Sequence, residues 1–160
     1  MPIKVTKTKT YKEFEQFAKT VRRVASREVA KDLPDEILQL LEDGISPTKR
    51  GEFKKTYSQR YIRAIINGNF GGGKTISPVN LKLSGQMYRS LKTKVSPMIG
   101  RVTLNFTDAI AKKHDQGLDG KPVRRLLPNT GEFFHINIQR YIVQRVRKIT
   151  IILAKLASDR

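Results

Sequence analysis

Two long helical patterns, one near each end of the chain, restrict its fold more than any other feature. From Tyr11 onward, apolar residues recur at spacings of three and four, while charged residues fall on the other faces. This pattern predicts an amphipathic helix of about five turns that ends before Pro34, because the residue preceding a proline disfavours helical backbone. A second helix is predicted from about Ile138 to Ala157. Its apolar face consists of Ile138, Tyr141, Ile142, Val146, Ile149, Ile152, Leu153 and Leu156.

Shorter elements are predicted between these two helices. A short helix begins at Pro34 and has Gly44 as its C-terminal cap, and Ser84 opens one or two further helical turns. Asp108 and Gly117 are the expected N-cap and stop of another short helix. Two segments, KTKVS and IGRVTLNF, predict a hairpin, and FFHINI predicts a last strand. The buried side of the hairpin is expected to carry Ile99, Val102, Leu104 and Phe106.

Length and composition predict one domain. A chain of 160 residues with 38% hydrophobic residues can build a single core. Residues 3–10, IKVTKTKT, alternate with lysine, which suits an edge strand or an arm because lysine discourages open-ended strand pairing. We therefore expect an extended basic arm over residues 1–10 and a single α+β domain over 11–160. In that domain a small antiparallel sheet is flanked by the N-terminal and long C-terminal amphipathic helices, with a long glycine-containing central loop.

Several classes of function are disfavoured by composition. The chain has no cysteine, which excludes disulfides, thiol catalysis and cysteine-ligated metals. The apolar runs are short and interrupted, so no segment is expected to span a bilayer. The basic N-terminus is not followed by the apolar stretch of a secretory signal, and an intracellular protein is the expectation.

Charge is the outlying property of the chain. It has 32 Lys and Arg against 14 Asp and Glu, a net charge of +18. From Phe53 to Thr107 there is no acidic residue, whereas the first 52 residues nearly balance. This acid-free stretch is either a solvated face or an electrostatic footprint for a phosphate backbone or an acidic neighbour, and we favour the footprint. The candidate basic surface consists of Lys54, Lys55, Arg60, Arg63, Lys74, Lys82, Arg89, Lys92, Lys94 and Arg101.

A glycine-rich segment, GNFGGGKT from Gly68 to Thr75, matches the phosphate-loop pattern G-x-x-x-x-G-K-[ST]. In that pattern Lys74 would bind the terminal phosphates, and a strand before the loop and a helix after it are required. Pro78 blocks a continuous helix here, and no later apolar strand ends in an acidic residue. We interpret the segment as a flexible loop and predict no cofactor.

The two histidines do not form an evident catalytic group. His114 and Asp115, with Asp108 and Asp119 nearby, suggest a metal site or an acid–base pair as one interpretation. Capping and turn roles for these residues are the favoured interpretation, because a magnesium-dependent nuclease would need more carboxylates. We therefore predict no catalytic residue, no metal and no enzymatic activity.

Aromatic residues alternate with basic ones in FKKTYSQRYIR. Phe53, Tyr57 and Tyr61 stand at four-residue steps, which would place the rings on one face of a helix. Such a face is more often part of a core than a platform for stacking bases.

Four segments follow one another along the chain: GISPTKRGEFKKTYSQRYIRAI, GGGKTISPVNLKLSGQMYRSL, AIAKKHDQGLDGKPVRRLLP and the terminal amphipathic helix. The second and third contain four short motifs: SPVNL at residues 77–81, a turn motif from Leu83 to Leu91, A-x-x-H-x-x-G at Ala111, His114 and Gly117, and P-x-R-x-hydrophobic-L at Pro122, Arg124, Leu126 and Leu127. Their order resembles that of the virion-morphogenesis or tail-completion proteins of tailed bacteriophages, also described as neck or head–tail joining proteins. The resemblance covers roughly residues 44–158. The family often has an aromatic residue where this chain has Leu126.

The resemblance implies a non-enzymatic structural protein that forms a ring of identical subunits between the connector and the tail tube. The implied partners are other copies of the chain, the connector or adaptor, and the tail tube or tail terminator. DNA passing through the joint is a further implied partner, and no membrane is. The implied location is the neck or tail of the virion, and the host cytoplasm during assembly. A basic nucleic-acid-binding protein without enzymatic activity is the alternative.

The segment before the last helix is the candidate interface. Pro122 stiffens the chain, and adjacent residues Arg124 and Arg125 point to opposite sides of an extended segment. One arginine can then brace the subunit while the other reaches a neighbour's carboxylate. Solvation of both side chains is the alternative.

Overall fold

A computed structural model describes residues 9–48, 53, 57–69, 74–77, 79, 85–119, 123–129 and 131–159 of the chain. Over these residues the fold is α+β, with five helices and a two-stranded antiparallel sheet. The elements are α1 (Lys9–Glu42), α2 (Gln59–Ile66), α3 (Gln86–Arg89), β1 (Leu91–Ser96), β2 (Arg101–Phe106), α4 (Ala109–Gln116) and α5 (Ile136–Ser158). The two long helices and the hairpin confirm the predicted fold class.

The first helix runs unbroken through Pro34, so the prediction that it ends there is wrong. A proline in a helix interior costs about 3 kcal/mol relative to alanine. Leu33, Ile37 and Leu41 around it are buried, and burying one such side chain contributes about 1.5–3 kcal/mol. Burial of this apolar stripe therefore outweighs the cost of the proline. Gly44, in the left-handed region at φ 73°, follows the helix as the predicted cap.

α1 begins at Lys9, two residues before the predicted start. Lys9 and Thr10 are thus helical, so their assignment to the extended arm is wrong. The rest of the arm, residues 1–8, lies outside the described residues. The same holds for Ser84, which precedes α3.

The hairpin is confirmed, with Leu91 opposite Phe106 and Ser96 opposite Arg101. Side chains alternate across the pair, so Val102, Leu104 and Phe106 pack against the core as predicted. Ile99 is exposed and was wrongly placed on the buried side. It lies in the short 3-10 turn Pro97–Ile99, outside the strand alternation.

α4 has the predicted ends. The side chain of Asp108 accepts hydrogen bonds from the backbone N–H groups of Ile110 and Ala111, and Gly117 ends the helix at φ 71°.

In contrast, the strand predicted at FFHINI is wrong. Phe134 makes a single bridge to Thr48, and His135 is the N-cap of α5. The side chain of His135 accepts from the N–H of residue 137, so the last three residues of that segment are helical.

α1 and α5 pack side by side in opposite directions. The N–H of His135 donates to the carbonyl of Pro47 at 2.8 Å, while Arg145, further along α5, reaches back to Asp32 at 2.9 Å. Ile138 and Ile149 of α5 are buried as predicted, whereas Ile152 and Leu156 at its far end are exposed. The core lies between these helices, the hairpin and the segment around Leu126; its buried members are Val29, Leu33, Ile37, Leu40, Leu41, Met87, Tyr88, Ala111, Leu126 and Ile138.

Candidate functional site

The candidate interface segment is fastened to α4 through its backbone. The N–H of Arg124 donates to the carbonyl of His114 at 2.8 Å, and the N–H of Leu126 donates to Oδ1 of Asp115 at 2.9 Å. The side chain of Leu126 is only 1% exposed and belongs to the core. Two of the four sequence motifs, the A-x-x-H-x-x-G motif and the segment after it, therefore form one structural unit. Pro122 lies outside the described residues.

Arg125 joins α4 to the chain that follows α1. Its Nη1 lies 3.3 Å from Oδ2 of Asp115 and 3.2 Å from the carbonyl oxygen of the same residue. The hydroxyl of Ser46 donates to the backbone carbonyl of Arg125 at 2.7 Å, and that hydroxyl also bonds to Thr48. These contacts are all inside the subunit, so a docking role for Arg125 stays a prediction.

The side chain of Arg124 lies against Tyr57 and is almost completely buried, at 4% exposure. Its guanidinium carbon lies 5.3 Å from the ring centroid of Tyr57, which is itself 4.9 Å from the ring centroid of Tyr61. The Nζ of Lys74 lies 4.8 Å from the first of these centroids and 5.7 Å from the second. We call Tyr57, Tyr61, Lys74 and Arg124 the basic–aromatic cluster.

Burial dominates the electrostatics of this cluster. Burial, together with the smaller effect of the neighbouring charge of Arg124, lowers the pKa of Lys74 to about 8. Burial also raises the pKa of Tyr57 to about 12, against the opposing effect of Arg124. The pKa of Arg124 is itself lowered by burial. Contact of the cations with the ring faces offsets part of their lost hydration.

The basic–aromatic cluster connects three parts of the chain: the residues at the start of α2, the end of the glycine loop and the candidate interface segment. Sequence spacing did not reveal it, because Lys74 and Arg124 are far apart in the chain. The aromatic steps were a usable signal, although Tyr57 lies before α2, whose N-cap is Ser58. Phe53 packs against the core, as expected from those steps.

The glycine loop follows α2, whereas a phosphate loop follows a strand. Lys74 contacts two tyrosine rings, and Ile76 and Ser77 form a turn. Residues 70–73 and Pro78 lie outside the described residues. The described geometry supports a connecting loop, and the absence of nucleotide binding stays a prediction.

One histidine, His135, and the acidic residues near His114 have structural roles. His135 and Asp108 cap helices, and Asp119 forms an ion pair with Lys113 at 2.7 Å. Among the described residues, no group of three or more His, Cys, Asp or Glu side chains is placed to hold a metal ion.

The candidate basic surface is only partly described, since Lys54, Lys55 and Lys82 fall outside the described residues. Lys74 is partly buried in the basic–aromatic cluster. The other six residues are exposed: Arg60, Arg63, Arg89, Lys92, Lys94 and Arg101. Three of these six lie on the outer face of the hairpin, on positions that alternate with the core-facing residues.

No protein-family model, curated protein or solved structure matches this chain. The likeness of its motif order to a phage protein family therefore stays a prediction. Within the described part of the chain, no helix has the length and apolar character needed to cross a membrane.

Proposed function

We propose that this protein is a structural component of a tailed-phage virion and forms a ring at the head–tail joint or the tail end. The observation that carries the proposal is the order of the four motifs between residues 77 and 127, within a resemblance that covers roughly residues 44–158. Two of these motifs share one hydrogen-bonded unit around Asp115, which supports reading them together.

The hydrogen bonds of the acidic side chains support a structural role over an enzymatic one. Asp115 is bonded to Arg125 and to the backbone of Leu126, and Asp108 is bonded to the backbone of α4. These acids stabilise turns and helix ends. A general acid or base needs instead to reach a substrate proton.

The test is a phage genome in which the reading frame of this chain is interrupted and then supplied from a plasmid. Without the protein, electron microscopy of lysates should show filled heads and separate tails; with it, joined particles should return. Lys74→Met should also restore joining, because no phosphate needs this ammonium. Normal numbers of joined particles in the absence of the protein would overturn the proposal.

A second candidate function, binding of nucleic acid, is favoured by the outer face of the hairpin. Lys92, Lys94 and Arg101 are exposed there on paired strands, within a stretch that has no acidic residue. Such a face suits phosphate contacts, whose strength falls with salt because bound counterions are released.

The charge-reversing double variant Lys92→Glu/Lys94→Glu tests this second candidate. Its affinity for a DNA duplex, measured by fluorescence anisotropy between about 50 and 200 mM salt, should be lower and less salt-dependent than that of the wild type. Lys12→Glu/Arg23→Glu on exposed positions of α1 is the matched control with the same net charge. Equal losses in both variants would show that binding follows net charge and not the hairpin.

A further inference from the structure

An open apolar groove of about 630 Å³ runs between α1, the hairpin and α5. Phe14, which lines it, is 68% exposed. Apolar surface of this kind that is left open on a folded chain marks an interaction site. The groove lies apart from the basic–aromatic cluster and the candidate interface segment. Its other lining side chains include Phe17, Val21, Val102, Leu104, Ile142 and Val146.

The elements around the groove determine the shape of a suitable occupant. α1 and α5 satisfy their own backbone hydrogen bonds, and β2 turns a face toward the groove, since Val102 and Leu104 are alternate residues. Most of the lining side chains are apolar, so they offer few hydrogen-bond partners to the backbone of an occupant. An occupant must satisfy its own backbone in an apolar setting, as a helix does. The lining positions from Phe14 to Leu33 extend over about 28 Å of α1, enough for several turns of such a helix.

The charges around the groove determine its chemistry. Residues 14–33 of α1 and the whole of α5 together contain ten basic and three acidic residues, while the basic residues of the hairpin lie on its outer face, away from the groove. Each of the three acids already contacts a basic residue of the same elements: Glu15 contacts Lys19, Glu28 contacts Lys31, and Asp32 contacts Arg145. The surroundings of the groove are therefore strongly positive.

We propose that the groove binds an amphipathic helix of another protein, with an apolar stripe that enters the groove and acidic residues that flank it. Charge complementarity selects this occupant over a second copy of the chain. Of the two long amphipathic helices that a second copy could offer, α5 has five basic residues and no acidic one, and α1 has seven of each sign, so neither has the excess of acidic residues that a positive rim favours. The proposal does not depend on the virion role, because it rests only on the groove and the charges around it.

Two synthetic helical peptides of about 20 residues test the proposal, that length giving about 30 Å of helix. Both carry leucine at i, i+3, i+4 and i+7; one has glutamate at the flanking positions and the other lysine. Fluorescence anisotropy should show the glutamate peptide binding at least about tenfold more tightly than the lysine peptide. A scrambled glutamate peptide of the same composition should bind weakly, because it has lost the stripe.

Two matched variants test whether the peptide binds in the groove. Phe14→Ala should weaken binding of the glutamate peptide about tenfold, whereas Phe133→Ala, at an aromatic residue that is 62% exposed and does not line the groove, should not. Methyl chemical shifts of Val21, Leu104 and Val146 should change on binding, which checks the site without any substitution.

Several results would overturn the proposal. Equal binding of the glutamate and lysine peptides would show that charge does not determine binding. Unchanged methyl chemical shifts would show that the peptide does not bind in the groove. Self-association that Phe14→Ala abolishes would make a second copy the occupant. Binding that occurs only after deletion of residues 2–8 would make the chain's own N-terminal segment the occupant.

Discussion

At the scale of single residues, the unusual feature is that two cations share one aromatic ring. Lys74 and Arg124 both lie within 5.3 Å of the ring centroid of Tyr57. Burial of two neighbouring positive charges is unfavourable, and the ring faces offset only part of that cost. The arrangement therefore has a measurable dependence on pH.

We predict that the protein becomes more stable as pH rises from about 8 toward 10, because folding lowers the pKa of Lys74 from its usual 10.5 to about 8. Below pH 8 the ammonium is charged in both states, so the full cost of burying it is present. Between 8 and 10.5 the folded state releases the proton while the unfolded chain keeps it, so the free energy of unfolding increases. Above about pH 10 the opposite change begins, because ionisation of Tyr57 is delayed to about 12 in the folded state.

Urea unfolding at several pH values measures this effect. We expect a gain of about 1–2 kcal/mol, allowing for partial exposure of the ammonium. Lys74→Met should remove the rise, while Lys92→Met, at an exposed position, should keep it. A rise of the same size in Lys74→Met would assign the effect to other groups.

The adjacent arginines should differ in their effect on stability. Arg124→Ala empties a buried site against Tyr57, and we expect a loss of about 2–3 kcal/mol. Arg125→Ala removes a half-buried ion pair, and Asp115 keeps its bond to the backbone of Leu126, so a loss of about 1 kcal/mol is expected. Urea unfolding measures both losses.

The same two variants test the docking hypothesis for this segment. That hypothesis predicts that at least one of them stays folded and fails to join heads to tails. If both variants fold and join normally, the segment is not the docking surface.

At the scale of elements, sequence patterns correctly predicted the features that depend on contacts between residues close in the chain. The Asp108 cap, the Gly117 stop and the strand alternation of β2 depend on neighbours within a few residues, and all three were predicted correctly. The path of the chain through Pro34 depends on burial against distant elements, which no local rule contains. FFHINI failed for a related reason: its apolar residues suit either a strand or a helix start, and the cap at His135 decides for the helix.

The candidate site shows the same division. The basic residues of the hairpin could be predicted from the sequence, and Lys92, Lys94 and Arg101 on its strands are exposed. The contacts of Arg124 and Lys74 with the ring of Tyr57 require the tertiary fold, because the three residues come from different segments. Spacing alone cannot bring such segments together.

A substitution at Pro34 tests whether α1 is one helix. Pro34→Ala restores a backbone donor in a helix interior, so the free energy of unfolding should increase by about 1–2 kcal/mol after allowing for the greater freedom of the unfolded chain. Chemical unfolding monitored by circular dichroism measures the change. If the proline instead began a second helix, where it is well tolerated, alanine would give no gain or a loss.

At the scale of the whole molecule, the net charge of +18 must be accommodated in any assembly of identical subunits. Like charges on neighbouring copies repel, and salt, DNA or acidic partners reduce that repulsion. Ring formation by this chain should therefore be stronger at moderate salt than at low salt. It should also be stronger in the presence of the tail tube.

The proposed ring is tested most directly by measuring the mass of the purified protein in solution and imaging it by negative stain, alone and mixed with tail tubes. We predict a single assembly whose mass is a whole multiple of the subunit mass, and ring-shaped particles in the images. A monomer at every protein and salt concentration, with no rings on or beside the tail tubes, would contradict ring formation.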